Sequence, residues 1–542
     1  MTMAPLGNIK TNRNRLLCHR VATGRRPMVR PKAGNDVHIP HRELFEKVYD
    51  EEIAPRFGGG EEHYMDHTGS GIYLNSQVER QKEILLSGVM GNPHSKSTSS
   101  QMATEKVESM RRKIMEFFNA SPEEYQVVFS RSATGALQML GESFPWSKEG
   151  SFAYLVSNHN SVLGIRSYAE ANGAKIGAFT EEEFEEWIKN PADEKWKNSV
   201  FDTNQNDGSS GDEKTYSLLA YPKKDNFNGV LYPSRWIQEA HGMSTEQHQW
   251  MVLLDAAAYV PTYKLDLQDI KPDFVCVSFY KVFGLPTGVG AWIMKKDSAE
   301  KLQRVFWGGS SVFTATSTLP WQVRFEDEAK WEDGTLPFLD IAALEPGFEA
   351  MERLGGIETV QEYVSALGAY MSLKLKSLQH SNGEPLLRLF GKHYEDDMQS
   401  KNNGSEERQS SIANFHILKP NGDLFSYRTA SRVFSAAKFH VRDGCMCNPG
   451  SCYMASGVQD EEIRDLAMSV DNYKNWEYIH VERNGSQQTL PMGSIRVSLG
   501  WMSRKADIDA LVDFLEATYK DKDADPVLEP LLEQKGSLGL RC

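Results

Sequence analysis

Short apolar runs recur along the chain between residues 125 and 295, and helical periodicity fills several of the gaps between them. Gln126 to Ser130, Phe152 to Ser157, Lys175 to Thr180, Ser217 to Tyr221, Met251 to Asp255, Phe274 to Ser278 and Gly290 to Met294 have the length and composition of buried strands. Ahead of most of them, Val107, Met110, Ile114 and Phe117 fall three or four residues apart, which predicts an amphipathic helix over 100–119. Strands alternating with helices predict a mostly parallel sheet covered on both faces.

After Leu344 the pattern changes. A helical stretch begins there and continues past Gly355 towards Leu378, short strands follow at Ile412 to Leu418 and Ser494 to Ser498, and a helix follows at Ala506 to Tyr519. This predicts an α/β architecture: a large domain over 36–345 and a smaller α+β domain over 346–525, the latter with a contribution from the N-terminal segment. Residues 526–542 read as a tail. Asn204 to Lys214 and Ser400 to Ser411 are polar and aperiodic, and read as solvated loops.

Charge and cysteine content narrow the function classes. The 542 residues carry a net charge of −14, yet the eight Lys and Arg before Asp36 face no acid, so the remainder sits at −22. An acidic body repels phosphates, and no nucleic-acid partner is expected. No apolar run reaches the roughly 18 residues of a membrane helix. The basic stretch over 1–35 reads either as an organelle transit segment or as a disordered tail. The expected location is therefore the cytoplasm, or a plastid or mitochondrion if the stretch is a transit peptide. Six cysteines are too few for a disulfide scaffold, but Cys445, Cys447 and Cys452 crowd into eight residues.

Four pieces of chemistry stand out. Lys281, in Phe279-Tyr280-Lys281-Val282-Phe283-Gly284, ends an apolar strand and enters a glycine-rich loop. Partial desolvation would lower its pKa and make its amine a Schiff-base former; the plainer reading is a solvated strand-end lysine. Asp255 ends another buried strand, where open α/β sheets bind ligands and where pyridoxal phosphate needs a carboxylate at its ring nitrogen. An N-cap aspartate would look the same. His159, at the end of the Phe152 strand, either lies flat on an aromatic cofactor or is simply hydrogen-bonded in place. Ser132-Ala133-Thr134-Gly135 supplies N–H groups and hydroxyls at a helix start, which suits a phosphate and equally an ordinary cap.

In order and spacing these pieces, with Met65-Asp66-His67-Thr68-Gly69, Gly91-Asn92-Pro93-His94-Ser95, Glu332-Asp333-Gly334-Thr335 and Arg496-Val497-Ser498-Leu499-Gly500, resemble the aminotransferase class V family. Within it they resemble the NifS-like domain of eukaryotic molybdenum-cofactor sulfurases. The resemblance runs from about residue 60 to 520. It implies a pyridoxal-phosphate-dependent transferase of fold type I. Lys281 would carry the cofactor and shuttle a proton at the substrate Cα. Asp255 would face the pyridine nitrogen, and His159 would stack on the ring. Thr134, Ala133, Ser278 and Tyr280 would contact the cofactor, and Thr335 would reach the phosphate of a neighbouring subunit in a homodimer. Arg496 would clamp the substrate carboxylate, with Asn92 also at the substrate. Ala258 replaces the glutamine or histidine that many cysteine desulfurases carry three residues after the aspartate, and Tyr280 replaces their histidine before the lysine. Both departures point away from an iron–sulfur-cluster desulfurase.

The segment Arg442-Asp443-Gly444-Cys445-Met446-Cys447-Asn448-Pro449-Gly450-Ser451-Cys452 resembles the loop bearing the persulfide-forming cysteine of desulfurases. Cys447 aligns with the nucleophile, with Cys445 as the alternative, and Arg442 would favour the thiolate. Asn448-Pro449-Gly450 reads as a turn that keeps the cysteines accessible. Two other readings stay open: a zinc site with His440, and a set of inert buried thiols. No metal is expected.

The expected function is thus an L-cysteine desulfurase or sulfurtransferase that yields alanine and a cysteine persulfide, for delivery to a protein or cofactor acceptor. Another class V reaction (a lyase, transaminase or epimerase-like enzyme) with an incidental cysteine loop is the alternative, and a non-catalytic scaffold is a third. Only about 40 residues follow Trp501, so the desulfurase half without a cofactor-binding C-terminal domain is expected.

Overall fold

Seven strands form the main sheet, in the spatial order Tyr125–Ser130, Gly290–Lys295, Phe274–Ser278, His248–Asp255, Thr215–Pro222, Ser151–Leu155, Lys175–Phe179. The computed structural model describes residues 37–57, 61–191, 193, 214–393, 408–469 and 476–526. The strand positions agree with the apolar runs to within a few residues, and the helix Thr98–Phe117 lies where the 100–119 periodicity places it. The basic N-terminal stretch, most of both polar loops and nearly all of the tail lie outside the described residues.

One strand runs against the rest. Gly290–Lys295 pairs antiparallel with both Phe274–Ser278 and Tyr125–Ser130. Its connection, Phe279–Val289, holds only the five-residue helix Phe279–Phe283 and a turn. A parallel return needs a crossover of a dozen residues or more, so this connection can only double back. That doubling back puts Lys281 at the carboxyl end of the sheet rather than in a long crossover helix.

On one sheet face Val128, Phe152, Leu218, Met251, Phe274 and Trp292 pack with Leu137 and Leu140 in one contiguous cluster, and on the other face Val127, Leu219, Val252, Val275 and Ile293 are buried too. Burial of this kind is worth roughly 25 cal/mol per Å² of apolar surface, which is what commits these short runs to strands.

The helical stretch after Leu344 is two helices, Glu345–Arg353 and Gly356–Lys376. They part at Gly355 and Gly356, whose φ of 89° and 87° only glycine adopts freely. Beyond them a four-stranded antiparallel sheet runs in the order Leu387–Phe390, Ile412–Ile417, Ser494–Ser498, Arg442–Gly444. The N-terminal strand His63–Tyr64 pairs parallel with Phe439–His440, and Asp66 bridges to Ser498. Among the described residues no helix is long and apolar enough to cross a membrane.

Candidate active site

Parallel strands that end side by side present their last residues to one crevice. Asp255 closes His248–Asp255, and its partner across the sheet is Cys276 of Phe274–Ser278. Asp255 is buried, and its Oδ1 accepts from the Ala257 amide at 3.0 Å. It therefore does cap the following turn, but with one oxygen. Burial lowers the Lys281 pKa, the Asp255 carboxylate raises it by less, and Arg496 and then Arg442 lower it by smaller amounts. The net direction is downward, towards a free amine. Lys281 shares a small cavity with His67, Thr68, Lys224, Ala258 and Trp501. Ala258 thus lines the same cavity as Lys281.

Ser278, Ala133 and Thr134 come together at one helix start. Ser278 Oγ accepts from the Ala133 amide at 2.8 Å, at the start of the helix Ala133–Ser143. A hydroxyl that accepts in this way keeps its own hydrogen to donate. Thr134 Oγ1 and Ser161 Oγ lie 2.8 Å apart. A Cβ on Gly290 would stand 2.8 Å from the Ser132 carbonyl carbon, so only glycine lets the strand approach this helix start. His159 Nδ1 accepts from the Ser161 amide at 3.1 Å, which leaves the hydrogen on Nε2. Burial, then the Lys281 charge, lower the His159 pKa to about 4, so the ring is neutral. Hydroxyls with hydrogens to spare, helix-start amides, a carboxylate and an amine in one crevice fit pyridoxal phosphate.

The cysteine segment differs from its sequence reading in two ways. Pro449–Ser456 is a helix, not a turn: Asn448 caps it by accepting from Ser451 N, and Pro449 fills the first helical position, where a missing N–H costs nothing. Cys445 and Cys452 form a disulfide. That overturns the zinc reading, since two of its thiolates are consumed, and it leaves Cys447 as the free thiol of the three. Met446 and Cys447 both have left-handed φ, 54° and 56°. Each such residue costs on the order of 1–3 kcal/mol unless its surroundings enforce it. The enforcement is visible: Asn226 Nδ2 donates to Met446 O and the Asn160 amide donates to Cys447 O, both at 2.8 Å. The second bond ties Cys447 to the residue after His159. A charge on Cys447 is also felt by the Tyr280 phenol.

Arg496 is 1% exposed. Its guanidinium donates to Asn226 O at 2.7 Å and to Asp66 Oδ1 at 2.5 Å, and Arg442 stands 3.9 Å from the other Asp66 oxygen. Lys281, Asp255, His159, Ser278, Ala133, Thr134, Tyr280, Cys447 and Arg496 thus belong to one region. Thr335 and Asn92 do not join it by any hydrogen bond among the described residues. Both are exposed, and Asn92 Nδ2 donates to Thr335 Oγ1 at 3.5 Å.

A model of the aminotransferase class-V family matches residues 63–385.

The chain belongs to the aminotransferase class V family.

Membership makes it a pyridoxal-phosphate-dependent enzyme. The molybdenum cofactor sulfurase of Homo sapiens is 34% identical over 479 residues, covering 85% of this chain and 50% of that protein. The molybdenum cofactor sulfurase of Oryza sativa subsp. japonica is 33% identical, with coverages of 84% and 56%. The chain therefore spans about half the length of the curated relatives it matches. The cysteine desulfurase CsdA of Escherichia coli superposes with a TM-score of 0.61 at 17% identity, over 87% of this chain and 98% of that one. The apo cysteine desulfurase of Thermococcus onnurineus NA1 gives 0.64 at 16%, over 89% and 99%. These superpositions show the type I fold.

Several residues of this class V site carry no role in the sequence reading. Asp66 and His67 fall in the stretch Met65-Asp66-His67-Thr68-Gly69, whose residues the sequence alone ties to no chemistry. Lys224 donates to Thr262 Oγ1 at 3.1 Å on the cavity wall, while Asp225 and Asn226 reach the cysteine segment. The signal was available: Lys223-Lys224-Asp225-Asn226 is a polar run directly after the buried strand Thr215–Pro222, at the sheet end where ligands bind.

Proposed function

We propose that this class V enzyme is an L-cysteine desulfurase that stores the sulfur as a persulfide on Cys447 and releases alanine. The observation that carries the reading is the Asn160 N–H bond to Cys447 O at 2.8 Å, which fixes a free thiol residue next to His159 in the region of Lys281 and Arg496. The names of the curated relatives support it.

Lys281, Asp255, His159, Ser278, Ala133, Thr134 and Tyr280 would hold pyridoxal phosphate, which when bound supplies an electron sink for the substrate carbon. Arg496 binds the substrate carboxylate with the N–H groups not used by Asp66 and Asn226, and Asn92 is assigned to substrate binding. Lys281, its pKa lowered by burial, takes and returns the proton at the substrate Cα. The Cys447 thiolate attacks the substrate sulfur. A sulfur–sulfur bond forms and the substrate Cβ–Sγ bond breaks. Its electron pair stays on the carbon fragment, which takes up a proton and leaves as alanine. The persulfide then passes to a separate protein or cofactor acceptor.

We assign a homodimer as the working form. Phe306, Phe313, Leu319 and Trp321 are all more than half exposed along 306–321, an apolar stretch that a monomer would leave in water. Thr335 is exposed like these residues, in keeping with a contact to the phosphate bound by a second subunit.

The test is mass mapping of cysteine persulfides after feeding L-cysteine. Cys447 is expected to carry the extra sulfur, and Cys447→Ala to lose it while keeping the visible absorbance of the bound cofactor. Full turnover by Cys447→Ala without reductant would reject the reading in favour of another class V reaction.

A further inference from the structure

Asp225 lies between the two sheets' contributions to the site, wholly buried, in the loop after Thr215–Pro222. Its Oδ1 accepts from the Phe227 amide at 2.7 Å and from Asn448 Nδ2 at 2.9 Å, and its Oδ2 accepts from Ser451 Oγ at 2.6 Å. Asn448 and Ser451 are the cap and an early residue of the helix that begins just after Cys447. Asn448 Nδ2 also contacts Ser157 O at 2.8 Å and Asn226 Oδ1 at 3.1 Å. Asn226 in turn holds Met446 O through its amide and accepts Arg496 through its carbonyl. One carboxylate is thus the common acceptor for the helix start behind the thiol, and its neighbour in sequence touches both the thiol segment and the arginine.

We propose that Asp225 is the positioning residue for Cys447: by clamping Asn448 and Ser451 it holds Met446 and Cys447 in their left-handed conformation beside His159. This rests on the reading that Cys447 receives the sulfur. Three facts support it. The partners of Asp225 comprise two backbone amides, Phe227 and Asn228, and a side-chain amide, which can only donate, and a hydroxyl, which donates here; that set suits an ionised carboxylate. Burial pushes the Asp225 pKa up to about 6, so the charge is held against its desolvation cost rather than because the site favours it. Finally, a Cβ on Gly450 would stand 2.0 Å from Val156 O, so the clamped helix seats directly on the strand end that leads to His159. There is no slack in which the thiol segment could settle elsewhere without losing these bonds.

The experiment uses the full chain loaded with cofactor and three variants, Asp225→Ala, Asp225→Asn and Asn448→Ala. The first readout needs no catalysis: the rate at which iodoacetamide alkylates Cys447, mapped by mass spectrometry. Release of the clamp is expected to raise it about tenfold in Asp225→Ala and Asn448→Ala. The second is persulfide formed on Cys447 in a single turnover with L-cysteine. It is expected to fall about a hundredfold in Asp225→Ala, the scale of an ångström's misplacement, with KM within threefold of wild type and the cofactor absorbance unchanged. Asp225→Asn, nearly isosteric, should recover most of both. Wild-type alkylation and persulfide formation in Asn448→Ala and Asp225→Ala overturn the proposal, as does a fall matched by an equal rise in KM. If Asp225→Ala does not fold, Asn448→Ala decides by the same criteria. Absence of persulfide on Cys447 in the wild-type protein would instead remove the desulfurase reading, while alkylation would still report on the clamp.

Discussion

Asp66 and Arg496, 430 residues apart in sequence, meet as a partly buried ion pair with Oδ1 and Nη2 2.5 Å apart. Burial lowers the Arg496 pKa, and Asp66 is the first of the groups that raise it again. Taking away Asp66 leaves a guanidinium out of water beside another cation, Arg442. Asp66→Ala is expected to lose about 3 kcal/mol of stability, and Asp66→Asn less, because the amide oxygen still accepts. Urea unfolding of the two variants checks the order; equal losses would show that the charge, and not the acceptor oxygen, carries the pair.

The disulfide Cys445–Cys452 spans a sequence separation of 7. Closing so short a loop is worth about 2.5 kcal/mol by the chain-entropy relation. Reductant, or Cys452→Ser, is therefore expected to lower Tm by several degrees. Without reductant, alkylation of the native protein should label Cys447 and spare Cys445 and Cys452.

Acid should destabilise the fold through its histidines. His67, His159, His393 and His416 all have pKa values lowered to about 4, with burial the leading cause in each. A base whose folded pKa is depressed contributes stability that is present above the unfolded value near 6.5 and lost as the pH falls through about 4. Each contributes on the order of 3 kcal/mol at neutral pH relative to pH 4. Asp225 runs the other way: its folded pKa is raised, so its contribution is present below about pH 4 and lost as the pH rises through about 6. Tm measured from pH 7 down to pH 4 should fall steeply, less so in His416→Gln and more so in Asp225→Asn.

The exposed apolar stretch gives a size prediction. Phe313→Glu combined with Trp321→Glu is expected to shift the chain from dimer to monomer in sedimentation. A monomeric wild-type protein would remove the subunit-crossing role of Thr335.

The sheet, its strand ends and the residues on them were legible because apolar runs of strand length have few alternatives, and because an amine, a carboxylate and an imidazole at such ends have few uses together. Strand alternation put Lys281, Asp255 and His159 at strand ends, and the family resemblance gave them their expected roles. What stayed hidden depended on contacts between distant segments. Asn448-Pro449-Gly450 has turn composition, but the same residues suit a helix start, and only the seat against Val156 and Asp225 decides between them. Likewise nothing local distinguishes Cys445 and Cys452 from free thiols, since a helix turn is what brings them together. The break was written in the sequence as the pair Gly355-Gly356, a turn signal, but the helical periodicity on both sides ran across it.

The pairing of His63–Tyr64 with Phe439–His440, and of Asp66 with Ser498, also has a bearing on how the chain is made. The segment that enters the site first leaves the ribosome more than 370 residues before its earlier partner. At 5–20 residues per second, that segment waits on the order of tens of seconds with its edge open. Chaperone dependence during synthesis, and failure of any truncation that stops before residue 498, follow from the sewing of the newest strand to the oldest.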